Sequence, residues 1–136
     1  MILFSRALKN ITVGSNPGPK YIAQIQYGQS LTLDKLAIMV AEQSAMTAGD
    51  VYSVLMQANT IMMWTLADGR PVDLGEFGKF YPKFKAKAME EYEEVTADTI
   101  SNVSVRFRPG KNLRDAMKRA KVRFNELIKP SYAPRP

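Results

Sequence analysis

The hydrophobic pattern of this chain changes period at Gly69, and that change sets the fold class. From Leu33 to Gly69 the apolar residues recur at helical spacing. Leu33, Leu36, Ala37, Val40 and Ala41 predict a first helix over 33–45, capped by Thr32 or Ser30. Thr47 with Asp50 three residues on is an N-cap signature with the shorter acid at N3. It opens a second helix, from about 48 to 68, with Val51, Val54, Leu55, Ala58, Ile61, Met62 and Leu66 as its apolar stripe. Gly69 is placed to end it, and the two helices read as an αα-hairpin. The run Val51 to Ala67 carries no charge but holds Tyr, Ser, Gln, Asn, Thr and Trp, so it reads as a buried helix rather than a membrane span.

Beyond Gly69 the period is two. Arg70 to Leu74 alternates, and Gly75-Glu-Phe-Gly78 makes a tight turn. From Lys79 to Ala88 the odd positions are Lys79, Tyr81, Lys83, Lys85 and Lys87, and the even ones are Phe80, Pro82, Phe84, Ala86 and Ala88. A strand there has one cationic and one apolar face, and Pro82 places it at an edge or at a bulge. Residues 90–99 read as a loop or excursion. Ser101 to Arg108 alternates again, with Val103, Val105 and Phe107 opposite Ser104, Arg106 and Arg108. Pro109-Gly110 breaks that strand. A third helix is predicted over 111–124, with Leu113, Ala116, Met117, Ala120 and Phe124 on one side and Lys111, Arg114, Lys118 and Lys121 on the other. At the N-terminus, 2–8 and 21–27 read as strands flanking the turn-rich Gly14–Lys20, a hairpin with a long loop.

The 136 residues are about the length of one domain. There is no Cys and no His. Disulfide frameworks, Cys/His zinc sites, Cys nucleophiles and Ser-His-Asp triads are excluded, so the expectation is a non-enzyme without metal or cofactor. The first residues show no secretory leader, and a soluble cytoplasmic protein is expected.

The net charge of +6 is unevenly spread. Residues 1–46 carry +2, residues 47–100 carry −4, and residues 101–136 carry +8. An acidic knot, Glu90-Glu91-Tyr92-Glu93-Glu94, precedes the basic C-terminal part. Such asymmetry points to a directed electrostatic surface and a polyanionic partner.

The ordered segments Thr32–Ala45, Thr47–Gly69, Val72-Asp-Leu-Gly-Glu-Phe-Gly-Lys-Phe80 and Val105-Arg-Phe-Arg-Pro-Gly-Lys-Asn-Leu-Arg-Asp-Ala-Met117 together resemble the HU/IHF family of bacterial histone-like DNA-bending proteins. The likeness covers about residues 32–124; with the N-terminal strands the chain looks most like a larger HU-related branch. It implies an α+β fold: a helical base, an antiparallel β-saddle and a β-ribbon arm, plus an N-terminal β-hairpin extension. The division implied is residues 1–30 as extension, 31–125 as HU-like DNA-binding domain and 126–136 as a proline-containing tail. The family also implies a homodimer on double-stranded DNA in the bacterial nucleoid, bound largely without sequence preference through phosphates and the minor groove. No membrane and no small-molecule substrate is expected.

Residue by residue, the resemblance places Phe77, Phe80 and Phe107 in the dimer core, with Leu55, Ile61 and Trp64 of the second helix. Lys79, Lys83, Lys85, Lys87, Arg106 and Arg108 fall on the saddle or the base of the arm. Lys111, Arg114 and Lys118 of the third helix face phosphates, and the Pro109-Gly110 turn presents helix N-terminal amides to the same anions. One departure stands out. Family arms carry an Arg-Asn-Pro-x-Thr-Gly tip whose proline wedges between bases; here the span from Phe80 to Phe107 has a similar length but carries the acidic knot and no Asn-Pro. Carboxylates are ill suited to the negative potential of a minor groove.

Simpler readings stand beside these. Lysines along an edge strand protect it from aggregation. The Met56, Met62, Met63 and Trp64 stripe is packing rather than a ligand box. Gly75 and Gly78 lack the Lys-Ser/Thr and the following helix of a phosphate loop. Asp68, Asp73 and Glu76 are too irregularly spaced for a metal site and read as surface charge. The altered arm also leaves open an HU-fold dimer used as a protein–protein interaction module, with the N-terminal hairpin as its contact.

Overall fold

The structure is a computed structural model that describes residues 1–126. The expected proline-containing tail, with Pro130, Pro134 and Pro136, lies outside the described residues beyond Glu126. The chain divides into two compact units, residues 31–118 and residues 1–30 together with the chain from Arg119.

In the larger unit, helix α1 spans Leu33–Glu42 and helix α2 spans Ala48–Ala67. Thr32 caps α1 by accepting from the Lys35 amide at 3.4 Å, and Thr47 caps α2 by accepting from the Asp50 amide at 3.1 Å. The first helix stops three residues short of the predicted 45, where the Ser44 hydroxyl accepts from the Met46 amide at 3.2 Å and bends the chain towards the second cap. At the end of α2, Gly69 has φ +80°, and its amide donates to Leu66 O at 3.0 Å while the Arg70 amide donates to Thr65 O at 3.1 Å. That is a Schellman closure, and it needs the left-handed residue that glycine supplies.

Three strands complete this unit. Strand β3 is only Val72–Asp73; β4 spans Gly78–Ala86, and β5 spans Ile100–Pro109. They form an antiparallel sheet in the order β3-β4-β5, with α2 against β3 and β4. Because β3 pairs with Lys79 and Phe80 alone, Pro82 lies where β4 has lost its outer neighbour and a missing amide removes no ladder bond on that side. The Lys83–Ser104 pair is followed by Lys85–Ser101, so Asn102 and Val103 of β5 share one residue, Phe84, of β4. This bulge carries Asn102 at φ +52°, a conformation that Asn tolerates better than most residues. The alternation expected from Ser101 to Arg108 therefore changes phase at Asn102, and Ile100 rejoins the apolar face opposite Ala86. Residues 87–99 connect the strands through two single 3-10 turns, Tyr92–Glu94 and Ala97–Thr99.

The predicted third helix ends early. Helix α3 spans Lys111–Arg119, and Val122–Phe124 form strand β6 instead of its last turn. Phe124 and Lys121 are therefore not on a helix, contrary to the helical spacing that Ala120 and Phe124 suggested. In the smaller unit, β1 (Ile2–Ile11) and β2 (Gly18–Gln26) pair as an antiparallel hairpin, longer than predicted, and β6 joins β1 in parallel. Phe4 faces Phe124 across that pairing, with ring centroids 5.6 Å apart, and Arg6 stacks on the Phe124 ring at 4.1 Å. These local aromatic contacts fix what a three-residue strand could not fix alone.

Among the described residues only Ala37 and Val51 bury an apolar side chain almost completely, where α1 meets α2. The predicted α2 stripe splits in two. Leu55, Ala58, Met62 and Leu66 are half-buried, whereas Val54 and Ile61 are exposed beside Met63 and Trp64. Beyond Asp50 this helix is uncharged, and it is apolar on more sides than its own chain covers.

Candidate nucleic-acid interface

The pairing of β4 with β5 sorts their side chains onto two faces. Phe80 is opposite Phe107, Pro82 opposite Val105, and Ala86 opposite Ile100. The rings of Phe80 and Phe107 lie 4.8 Å apart, and Phe77 adds a third ring 5.6 Å from Phe107. On the other face Lys79 is opposite Arg108, Tyr81 opposite Arg106, Lys83 opposite Ser104, and Lys85 opposite Ser101. On β4 and β5 this face carries five cations, Lys79, Lys83, Lys85, Arg106 and Arg108, and its one carboxylate in register, Asp73 of β3 beside Lys79, is turned to the Gly75 amide. Among the described residues none of the five is held in an ion pair. An uncompensated cationic ladder of this kind attracts an extended polyanion.

The two glycine motifs read in the sequence are halves of one joint. Leu74 N donates to Gly78 O at 2.9 Å, and Gly75 N donates to the Asp73 carboxylate at 2.9 Å, closing the turn before β4. Gly110 N donates to Phe77 O at 2.9 Å. A Cβ on Gly110 would overlap the Glu76 backbone, so only glycine lets the start of α3 press against this turn. The joint fixes where α3 leaves the sheet. On α3, Lys111, Arg114 and Lys118 fall within about 60° of one another around the axis at 3.6 residues per turn. Asp115 shares that side of the helix, so it is less purely cationic than the ladder.

The structure therefore brings Lys79, Lys83, Lys85, Arg106 and Arg108 onto one face and puts Lys111, Arg114 and Lys118 on one side of α3. Lys87 departs from the expected strand face. It lies past the end of β4, and its amide donates to Thr99 O at 3.0 Å, the last rung before the connection. Tyr81 was legible only as a member of the cationic face. In the structure its ring lies 5.3 Å from Lys79 Nζ and 5.3 Å from Arg108 Cζ. Ser101 and Ser104, which place hydroxyls opposite Lys85 and Lys83, had no signal beyond alternation. Phe77 and Trp64, expected in a dimer core, are 56% and 70% exposed on the single chain, and Ile61 is 59% exposed, while Leu55, Phe80 and Phe107 are half-buried.

Asp68 is the C-cap of α2 and Asp73 holds the turn. No group of three or more metal-ligating side chains occurs among the described residues, and none of their helices is long and apolar enough to cross a membrane.

A family model described as "HU domain fused to wHTH, Ig, or Glycine-rich motif" matches residues 6–125. The chain belongs to this HU-HIG family. Its α+β architecture, three α-helices and two small sheets among the described residues, is compatible with an HU-like fold. The HU-HIG match starts at Arg6 and so includes most of the N-terminal hairpin, which the resemblance over 32–124 left out. A solved structure from Bacteroides vulgatus ATCC 8482, described as a "Putative bacterial DNA binding protein", shares the fold with a TM-score of 0.60 at 20% identity. The likeness covers 90% of this chain and 47% of that one, so the HU-HIG chain spans about half the length of that relative. A comparison with curated proteins returned no match.

Proposed function

We propose that this HU-HIG chain is an architectural DNA-binding protein of the bacterial nucleoid, acting as a homodimer that grips the duplex through its phosphates with little sequence preference. The observation that carries the reading is the ladder of Lys79, Lys83, Lys85, Arg106 and Arg108 on one face of β4–β5. Lys111, Arg114 and Lys118 extend the phosphate contacts from α3, and Lys87 contributes from the base of the connection. Membership of a family built on an HU domain supports the same reading, as does the description of the structural neighbour. Binding dominated by such contacts releases counterions and falls steeply with salt.

Dimerisation is supported by the apolar surface left open on one chain. Ile61 and Trp64 of α2, Phe77, and the distal apolar sheet residues Phe84, Val103 and Val105 are all exposed. Large apolar side chains left open on both a helix and a sheet favour an interface over a solvated surface. A partner seated there completes a core from Leu55, Ile61, Trp64, Phe77, Phe80 and Phe107.

The ribbon tip argues against deep wedging into the minor groove. Residues 87–99 carry one lysine against five carboxylates, and their Asn-Pro is missing. The contact proposed is therefore by the saddle and ribbon base, with weak bending. The same acidic tip favours the second reading, an HU-type dimer serving as a protein-interaction module through the hairpin, where Tyr21 is 78% exposed. Removing residues 1–30 is a poor discriminator because β6 would lose its partner β1. Tyr21→Ser on the intact chain is cleaner: DNA affinity is retained under the first reading. A gel-shift titration on linear, nicked and cruciform DNA at two salt concentrations tests the function itself. Dissociation constants of about 10⁻⁴–10⁻⁶ M at physiological salt are expected on linear duplex, and no shift on any substrate at low salt refutes DNA binding.

A further inference from the structure

We infer that Lys79, Tyr81 and Arg108 form one phosphate-binding subsite, in which the Tyr81 ring holds two like charges side by side for a single backbone phosphodiester. The inference rests on the proposed DNA-binding role of this face.

Lys79 and Arg108 are direct partners in the ladder. Like charges placed opposite one another weaken a sheet. Asp73 is in register beside Lys79 on β3, but its carboxylate accepts from the Gly75 amide, and among the described residues neither cation forms an ion pair that would relieve the repulsion. What they share is the ring of Tyr81, 5.3 Å from Lys79 Nζ and 5.3 Å from Arg108 Cζ. The negative face of an aromatic ring attracts a cation within about 6 Å. One ring thus restrains two long side chains that would otherwise lose their rotamer freedom only on binding. The hairpin holds another like-charge pair, Lys9 opposite Lys20, with no ring between them among the described residues. The ring at Lys79 and Arg108 is therefore not a general consequence of such pairing.

The chemistry of the pair selects the ligand. Arg108 offers a planar fork of donors and Lys79 a compact point charge, and both act on one small anion with several acceptor oxygens. Arg106 stands opposite Tyr81 itself, so the next phosphate along the strand meets a third cation one step away. Tyr81 does not read bases in this arrangement. It is a positioning residue, and its ring rather than its hydroxyl does the positioning.

A double-mutant cycle tests this, using a short blunt duplex as the probe and affinity measured across a salt series. Tyr81→Phe is expected to bind as the wild type does. Tyr81→Ala is expected to lose about tenfold in affinity and to flatten the log–log salt slope by about one. In a Lys79→Gln, Arg108→Gln background, Tyr81→Ala is expected to cause no further loss. Circular dichroism and sedimentation check fold and assembly; if Tyr81→Ala fails either, Tyr81→Leu replaces it, keeping the bulk without the ring. Wild-type affinity in the alanine or leucine variant overturns the subsite, and so does an equal loss in the charge-depleted background, which is the mark of a merely structural residue. A wild-type protein that does not bind the duplex at low salt overturns both this inference and the proposed function; a wild type that binds without the coupling overturns the subsite alone.

Discussion

Gly78 and Phe107 touch so closely that no side chain fits at Gly78. A Cβ there would overlap the Phe107 ring and lie 2.7 Å from Arg108 O, and the backbone sits at φ +154°. Gly78 opens β4 and pairs with Pro109, so this contact holds the start of the cationic ladder against the start of α3. Gly78→Ala meets both a steric and a backbone penalty, and a loss of about 2 kcal/mol or more is expected. Urea unfolding monitored by circular dichroism measures it, and an unperturbed midpoint would refute the packing described.

The cap at Thr47 allows a milder test. Its hydroxyl accepts from the Asp50 amide, which otherwise has no helical partner. Thr47→Ala is expected to destabilise the fold by about 1 kcal/mol, while Thr47→Ser retains most of the stability. The same unfolding assay distinguishes them.

Trp64 is the sole tryptophan and is 70% exposed on one chain. In a dimer that covers this face of α2, its emission is blue-shifted and moves to the red on dilution. Trp64→Lys or Ile61→Asp is expected to give monomers or unfolded protein by sedimentation, because a charge in an apolar interface is left unpaired. Red emission at every concentration, with a monomeric mass, would remove the dimer.

The acidic connection gives an electrostatic prediction. Replacing Glu90, Glu91, Glu93 and Glu94 with Gln removes four charges that repel a polyanion near the ribbon. Affinity for duplex is expected to rise several-fold at low salt, with the gain shrinking as salt screens it. Anisotropy titrations at two ionic strengths read both effects.

Much of the larger unit was legible because its signals are local. Thr32, Thr47 and Gly69 act on residues within one helical turn, and period two runs through Lys79–Ala86 whatever lies around it. The missing pieces depend on distant partners. Val122–Phe124 is a strand only because β1 is beside it, more than a hundred residues earlier, and Ala120 and Phe124 mimic a helical step. Asn102 gives no sign in sequence that it takes φ +52° and shifts the alternation. A helix apolar on several sides does not say which side its own chain covers, so Leu55 and Ile61 looked alike although one is half-buried and the other open. The cationic face was readable strand by strand, but the pairing of Lys79 with Arg108 across Tyr81 required the register.

The central claim is that the β4–β5 ladder and the start of α3 bind duplex phosphates. The direct measurement is duplex affinity against salt for the wild type and for a variant with Arg106, Arg108, Lys111 and Arg114 replaced by Gln. The prediction is a linear fall of log affinity with log salt in the wild type, and a variant that is weaker on every duplex and shallower in slope by up to about four. An unchanged slope in the variant, or no binding by the wild type at low salt, would contradict it.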